Sequence, residues 1–197
     1  MSNKIPLLVK RRSMGGHEKA GYGETNEWYT PPHIFTSLGL DFDLDPASPL
    51  DGPVSWIPAK RFLSAQEDGL HTAWEGKVWL NPPYGADMGK WVAKLAAHGN
   101  GVALLFARTD TVWFHKYGVR ANIICFLNGR LTFFPGSKQK ITSNAGAPSM
   151  LLGFGDECSD AVRTCGLGAV MRFDVLTLTN EQPALMRDSI LENVNEV

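Results

Sequence analysis

From Trp28 onward, short apolar runs alternate along the chain with patterns that are typical of helices. The runs predicted as strands are 40–44, 54–57, 78–80, 102–106, 123–127 and 150–154. Between them, 31–38 begins with prolines, and 88–98 places Trp91, Val92, Leu95 and Ala96 on one helical face. This alternation predicts an α/β fold, in which crossover helices join the strands of a mostly parallel sheet. In such sheets, ligands bind beyond the carboxyl ends of the strands.

The length and charge of the chain favour a single folded domain. At 197 residues, with 44% apolar and 20% charged residues, it has enough material for one full core. Residues 1–27 are predicted to form a flexible basic arm, 28–177 the folded domain, and 178–197 an acidic tail or a loosely docked helix. The net charge of −1 gives no overall attraction to a polyanion, so any nucleic-acid surface must be local.

The cysteine content indicates a reducing environment. Cys125, Cys158 and Cys165 are odd in number and have no C-x-x-C spacing, which argues against both a disulfide framework and a zinc site. The chain also has no apolar run of the roughly 20 residues that a membrane span needs, and no signal-peptide pattern at its start. We therefore expect a soluble, cytoplasmic protein that binds neither a metal nor a membrane.

A polar corner follows the apolar run 77–80. It consists of Asn81, Pro82, Pro83 and Tyr84. The two prolines fix the backbone and donate no hydrogen bond, which leaves the Asn81 side-chain oxygen and the Pro82 carbonyl as fixed acceptors. Both acceptors can take a hydrogen bond from one planar amino group, and the Tyr84 ring offers a stacking face. The corner predicts methyl transfer to such a group, although the same residues are also an ordinary way to leave a strand.

Three further clusters are candidates for ligand contacts. The first, 43–48, contains Asp43 and Asp45 at a strand end and reads either as a carboxylate site or as a plain Asp-Pro turn. The second, 67–70, offers Asp68 to the amino group of an adenine ring, or simply forms a capped or solvated turn. The third, 108–115, begins where a strand ends and contributes either to function or to helix capping and the core.

Together these segments closely resemble the phage-type DNA adenine-N6 methyltransferase family, the small Dam-like enzymes of bacteriophages and prophages. The matching blocks, in chain order, are 27–32, 44–48, 68–70 with Trp74, 81–84, 108–111 with 113–115, and 128–130 with Phe133. The resemblance implies a Rossmann-like class I methyltransferase fold, with helices on both faces of the sheet. It also implies S-adenosylmethionine as methyl donor, adenine in double-stranded DNA as acceptor, and a bacterial host cell as location, with a role such as restriction-modification left open.

The resemblance assigns roles residue by residue. The segment Trp28, Tyr29, Thr30 and Pro31 is similar to the methionine-side wall of the cofactor pocket. In the same way, Asp45 with Pro46 and Ala47 matches the first cofactor loop, and Asp68 matches the adenine-side acid. The corner from Asn81 to Tyr84 matches the catalytic motif residue for residue, and Asn81 is also implied to contact the cofactor. The glycine-rich turn common in other methyltransferases is missing, so the ribose contact stays open between Asp43, Asp45 and Asp51.

Contacts to DNA are predicted at several positions. The target adenine would be flipped into a pocket lined by Tyr84 and by Phe133 or Phe134. In the loop near 135–148, Lys138 and Lys140 would hold phosphates while Gln139 or Asn144 reads a base edge, or the loop is a solvated hairpin tip. The remaining candidates are Arg108, Asp110 and Arg130, and the basic cluster Lys10, Arg11 and Arg12.

Two other classes of function stay open at this point. One keeps methyl transfer but changes the acceptor to cytosine N4, RNA or a protein amide. The other is a catalytically silent DNA-binding protein of the same fold, acting in antirestriction or regulation. Whether the protein is a monomer or a homodimer does not follow from the sequence, and neither does its recognition site.

Overall fold

The structure is a computed structural model, and it describes residues 28–135 and 145–173. The predicted basic arm, the acidic tail, and the part of the loop that carries Lys138 and Lys140 lie outside the described residues. The strands are β1 (Trp28–Tyr29), β2 (Phe42–Asp45), β3 (Ala59–Phe62), β4 (Val78–Leu80), β5 (Gly101–Phe106), β6 (Ile123–Leu127), β7 (Phe134–Pro135), β8 (Ser149–Phe154) and β9 (Gly168–Met171). The helices are α1 (Pro32–Leu38), α2 (Met88–His98), α3 (Val112–Lys116) and α4 (Asp156–Thr164), with a 3-10 turn at Gly118–Arg120.

Within the described residues, seven strands form one mixed sheet in the order β3-β2-β4-β5-β8-β6-β9. The pairs β2–β3, β2–β4 and β4–β5 are parallel, whereas β8 runs antiparallel to both β5 and β6, and β9 runs antiparallel to β6. Five of these seven strands therefore point the same way. The predicted α/β class and predominantly parallel sheet are confirmed, with β8 and β9 as the reversed strands.

Helices cover both faces of the sheet. On one face, Ile34, Phe35 and Leu38 of α1 and Val162 of α4 pack into a buried cluster around Trp79 of β4. On the other, α2 presents Met88, Trp91, Val92 and Leu95, which recur at helical spacing and are all buried. Alternating residues of β5 feed the two clusters, as the twofold side-chain period of a strand requires.

The termini of two helices follow from local sequence. Pro32 is at the first position of α1, where the missing N–H costs nothing, and Gly39 ends the helix with a φ of 62°. Helix α2 ends in the same way at Gly99, whose φ is 76°. A left-handed residue of this kind is readily supplied by glycine and closes the last helical turn. The expected bounds of α2 are confirmed at both ends, and those of α1 to within one residue.

The strand predicted at 54–57 is wrong. That segment is irregular, and the strand lies at Ala59–Phe62 instead. Apolar residues of 54–57 contact the core instead of forming a strand: Ile57 is buried, and the Trp56 ring packs near Tyr29 and Phe134. The true strand is at the edge of the sheet and exposes Lys60 and Arg61, so its sequence has little apolar signal. Turns rather than helices make the β2–β3 and β3–β4 crossovers.

The strand order reverses direction at β2. From β2 the chain passes to β3 on one side and then returns to β4 on the other, with Leu44 of β2 opposite Val78 of β4. Such a reversal opens a crevice at the carboxyl ends of the two central strands, where ligands of open α/β sheets bind. Asp45 and Asn81 stand at these two ends.

Candidate active site

A cavity of about 420 Å³ occupies this crevice. Its walls come from five parts of the chain: Trp28, the 46–49 loop after β2, the 64–71 turn after β3, the corner after β4, and the start of α2 with the residue before it. The lining residues are Trp28, Pro46, Ala47, Ser48, Pro49, Ser64, Ala65, Asp68, Gly69, Leu70, His71, Asn81, Pro82, Pro83, Tyr84, Asp87 and Trp91. The fold therefore brings together parts of three clusters that the sequence singled out, namely 46–48, 68–70 and 81–84.

Of the two polar atoms of the Asn81 side chain, the nitrogen is hydrogen-bonded within the described residues and the oxygen is not. Its Nδ2 donates to the Trp28 carbonyl oxygen at 3.1 Å, which ties the corner to β1. Its Oδ1 is buried and has no hydrogen-bond partner among the residues that the structure describes. A buried acceptor without a donor costs about 1–3 kcal/mol, so a ligand that donates a hydrogen bond here recovers that energy. The predicted acceptor is thus present and unsatisfied at the wall of the cavity.

The Tyr84 ring is held by a neighbour that the sequence did not indicate. It stacks on Phe106 at the end of β5, with ring centroids 4.0 Å apart and planes inclined by 20°. Phe106 therefore sets the plane of the Tyr84 ring. A second cavity of about 220 Å³ lies on this side and shares Tyr84 with the larger one; its other lining residues are Gly85, Met88, Phe106, Arg108 and Trp113.

Asp45 lies behind the cavity wall rather than in it. Its side chain is only 3% exposed, and its Oδ1 accepts from the backbone N–H of Ala47 at 3.1 Å. Burial raises the pKa of the Asp45 carboxyl to about 7, against the opposing effect of the Ala47 hydrogen bond. The contact shapes the loop so that Pro46, Ala47 and Ser48 face the cavity. Ser48 Oγ, like Asn81 Oδ1, is buried with no partner in the described part of the chain.

Two of the lining residues carry carboxylates: Asp87, which pairs with Lys90 at 2.7 Å, and Asp68. His71 Nδ1 lies 2.8 Å from its Oδ2, and this side-chain hydrogen bond lowers the pKa of Asp68 below its ordinary value. The ribose candidates lie elsewhere: Asp43 accepts from Lys60 at 2.7 Å and from the Lys77 N–H at 2.8 Å, and Asp51 is exposed in a turn. Asp43, Asp45 and Asp51 are thus all outside the cavity lining, which leaves Asp68 and Ser48 as its acceptors near the 46–49 loop.

Of the segment from Trp28 to Pro31, the last three residues lie behind the cavity wall and support it. Tyr29 is buried, and its hydroxyl donates to the Gly52 carbonyl at 2.5 Å. The Thr30 carbonyl accepts from Trp56 Nε1 at 3.0 Å, and Pro31 is buried at the start of α1. Only Trp28 of this segment is among the lining residues.

The residues predicted to contact DNA do not gather at one cavity. Arg108 lines the smaller cavity, whereas Asp110 and Arg130 are exposed outside both cavities. Phe133 is 5% exposed and belongs to the core cluster around β4, so its ring packs against protein. Lys138 and Lys140 are not described, and their contacts stay predictions.

Residues that sequence reasoning missed are mainly apolar or on turns. Trp91 carries the ordinary pattern of a buried helix residue, so nothing in that pattern separates it from core. His71 and Ser64 are in the turn after β3, whose path depends on contacts distant in sequence. Asp87 did carry a signal, because it directly precedes the predicted helix 88–98.

No cysteine lines either cavity. All three thiols are buried, and burial raises the pKa of Cys125 to about 12 and that of Cys158 to about 11. Such thiols are not nucleophiles near neutral pH. The described residues also contain no cluster of His, Cys, Asp or Glu able to hold a metal ion. The site therefore offers hydrogen-bond acceptors and aromatic faces.

Comparison with known protein families identifies the family of the chain. The family model described as DNA N-6-adenine-methyltransferase (Dam) matches residues 19–165, which is more than half of the chain. The chain belongs to this family. It is therefore an enzyme that methylates adenine in DNA at N6, as the resemblance implied. Searches of curated proteins and of solved structures gave no match.

The matched range contains all the described elements of the site. It begins before Trp28 and ends after α4, so it covers both cavities and all strands of the large sheet except β9. Among the described residues, no helix has the length and apolar character needed to cross a membrane.

Proposed function

We propose that this enzyme takes its methyl group from S-adenosylmethionine and acts on an adenine flipped out of double-stranded DNA. We further propose that its sheet is a Rossmann-like class I methyltransferase sheet. The observation that carries the proposal is the buried, unpartnered Asn81 Oδ1 at the wall of a cavity on the strand switch point. An adenine amino group is a donor that satisfies this acceptor.

The residues around the larger cavity fit the proposed cofactor. A volume of about 420 Å³ is within the usual range for small-molecule sites. Ser48 Oγ and the Asp68 carboxylate would accept from its hydroxyl and amino groups, and the indoles of Trp28 and Trp91 would face its apolar and cationic parts. When bound, S-adenosylmethionine supplies a methyl group made electrophilic by the adjacent sulfonium.

Asp45 would contribute through its charge. Its carboxyl is buried with the Ala47 N–H as its hydrogen-bond donor, and burial holds its pKa near 7. A cationic amino group bound beside the 46–49 loop would favour the ionised form and lower that pKa. We therefore expect Asp45 to be one source of cofactor affinity that strengthens as the pH rises toward neutral.

The corner would orient the acceptor amine. Asn81 Oδ1 and the Pro82 carbonyl accept hydrogen bonds, and because an amide is neutral it positions the amine without acting as a strong base. Their placement needs no reorganisation, since β4 and the two prolines hold the backbone. The buried thiols leave no cysteine for a covalent intermediate, so the residues present serve orientation and exclusion of water.

Base flipping would use the smaller cavity, with the amino group of the base directed past Tyr84, which both cavities share, toward Asn81 of the larger one. An adenine N6 inside a stacked duplex is out of reach, and extruding the base costs a few kcal/mol. The Tyr84 ring, fixed by Phe106, would stack with the extruded base, while Arg108 at the same cavity is suited to the adjacent backbone phosphates. This assignment replaces Phe133 with Phe106 as the second aromatic of the pocket.

Incubation with methyl-labelled S-adenosylmethionine and unmethylated double-stranded DNA tests the proposal, followed by digestion to nucleosides. We expect the label in N6-methyldeoxyadenosine, with Asn81→Ala as the matched low-activity control. Label in 4-methylcytosine, in RNA or only in protein would overturn the substrate, and transfer to single strands alone would overturn the flipped duplex base. A wild-type enzyme that neither binds S-adenosylmethionine nor transfers its methyl group would overturn the cofactor.

A further inference from the structure

Lys94 on α2 directs its ammonium group at a single turn. Its Nζ lies 3.1 Å from the Gly69 carbonyl oxygen, 2.7 Å from that of Leu70 and 2.5 Å from that of Thr72. The same ammonium is 4.6 Å from the centroid of the Trp74 ring. An ammonium has three N–H donors, so one helix residue supplies a donor for each of three neighbouring carbonyls.

The turn held in this way carries one wall of the larger cavity. Asp68, Gly69, Leu70 and His71 all line it, whereas Lys94 does not. Asp68 has a φ of 49°, a left-handed conformation that a residue with a side chain keeps only when its surroundings enforce it. The backbone at Gly69 also touches the neighbouring loop, because an added Cβ would lie 1.8 Å from the Pro46 carbonyl oxygen.

The other hydrogen bonds on this turn join residues that are close in sequence. Trp74 Nε1 donates to the Gly69 carbonyl at 2.8 Å, and the N–H groups of His71 and Thr72 both reach the Asp68 carbonyl at 3.0 Å. Partial burial lowers the pKa of Lys94, while the nearby Asp68 carboxylate acts to raise it. The hydrogen bonds of Lys94 tie the turn directly to α2, whereas Trp74 ties it indirectly through its stacking on Trp91 of that helix.

We propose that Lys94 is a positioning residue for the methyl donor, which holds the 68–72 turn so that Asp68 and Gly69 form the cofactor wall. The inference rests on the proposed function, because it assigns the larger cavity to S-adenosylmethionine. Lys94 touches neither cofactor nor DNA in this account. Its loss should therefore weaken cofactor binding while leaving the chemistry at Asn81 intact.

Lys94→Met tests this, since it keeps most of the apolar stem and removes the donors. Lys116→Met is the matched control, because Lys116 is an exposed helix lysine whose Nζ lies 5.4 Å from the Tyr117 ring, outside both cavities. In the enzyme without cofactor, we expect amide hydrogen exchange at His71 and Thr72 to rise at least about tenfold in Lys94→Met only.

The cofactor measurements complete the test. For Lys94→Met, we expect the Kd for S-adenosylmethionine by calorimetry and its KM to rise at least about tenfold, with kcat at saturating cofactor within about threefold. Lys94→Arg, which keeps the charge, should recover part of both losses. Should Lys94→Met fail to fold, Lys94→Gln keeps an amide donor and is judged against the same control.

Two results would overturn the inference: exchange at His71 and Thr72 that does not change, or faster exchange with an unchanged Kd. A kcat that falls as far as KM rises would also count against it, because a positioning role predicts a split between the two. A wild-type enzyme that fails to bind S-adenosylmethionine would instead overturn the proposed function, and the exchange arm would still report whether Lys94 holds the turn.

Discussion

Asn81 and Asp45, at the ends of neighbouring strands, are both polar residues with buried side-chain oxygens, but they differ in charge and in hydrogen bonding. Asn81 is neutral and leaves one acceptor unsatisfied, which a bound donor can use. Asp45 is buried with the Ala47 N–H as its donor, and its pKa is raised to about 7. Burial makes both side chains more costly than an apolar residue would be, and polar groups of this kind are frequent at functional sites.

The Asp45 carboxyl makes a specific prediction for pH dependence. Its pKa in the folded state lies above the ordinary 3.8, so the folded protein holds the proton more tightly than the unfolded chain does. Stability is therefore lost as the pH rises from about 4 to about 7, by at most about 4 kcal/mol for a shift of about three pH units. Asp45→Asn has no carboxyl to ionise, so its stability should not fall in this pH range.

We expect the variant to become more stable than wild type as the pH rises through this window, with little difference below about pH 4. Denaturant unfolding without cofactor, measured at several pH values, gives the comparison. A difference between the two proteins that does not depend on pH would show that Asp45 is ionised in the folded state and that the raised pKa is wrong.

Some site residues could be predicted from the sequence and others could not. The corner at Asn81 was predictable because the strand, two prolines and an aromatic ring are adjacent in the chain. Phe106 as the partner of Tyr84 was not, since their 4.0 Å stacking arises from the pairing of β4 with β5. The burial of Phe133 could not be predicted either, because an aromatic residue looks the same in the sequence whether it lies in a core or in a pocket.

At the scale of elements, the cavity depends on two turns that touch. The loop after β2 and the turn after β3 meet where Gly69 approaches Pro46. Gly69→Ala should lower the free energy of unfolding by about 3 kcal/mol, because the Cβ would meet backbone that cannot move aside. It should also weaken cofactor binding, since both segments line the cavity.

Gly85→Ala is the control for stability, because a Cβ added there meets nothing within 4 Å. Chemical denaturation of the two variants and wild type makes the comparison. Equal stability of Gly69→Ala and wild type would mean that the two segments are further apart than the structure has them.

The loop near 135–148 gives a prediction from charge alone. If Lys138 and Lys140 each neutralise a phosphate, replacing both with Ala should weaken binding to all DNA sequences alike. The slope of log K against log salt should then flatten by about 2. Binding titrations at several salt concentrations measure it. An unchanged slope would move the phosphate contacts elsewhere, with the Lys10 to Arg12 cluster as the next candidate.

Strands and helices could be predicted where buried apolar residues recur regularly along the sequence, and could not where such residues are few. The run 123–127 and the helix 88–98 were predicted with their observed bounds, because each buries a continuous strip of apolar side chains. The 59–62 strand was missed because an edge strand needs few apolar residues. The two-residue pair of β1 and β7 was also missed, since it joins segments about a hundred residues apart.

For the whole molecule, the sheet explains why one small domain suffices. The reversal of strand order at β2 gathers the 46–49 loop, the 64–71 turn and the corner at one edge of the sheet. The net charge of −1 means that attraction to DNA has to come from local groups, for which Arg108 and the lysines of the 135–148 loop are our predicted sites. In the proposed function, the cofactor and the DNA therefore bind at different parts of the same sheet edge.

In the proposed mechanism, Asn81 serves the methyl transfer while the surrounding cavity holds the cofactor. The most direct test is Asn81→Ala, with kcat and the cofactor Kd measured on the same folded preparation. We predict that kcat falls at least about 100-fold, as for the loss of other preorganised polar contacts, while the Kd for S-adenosylmethionine changes less than about tenfold. Cofactor binding that is abolished in the folded variant, or a kcat that hardly changes, would contradict the account.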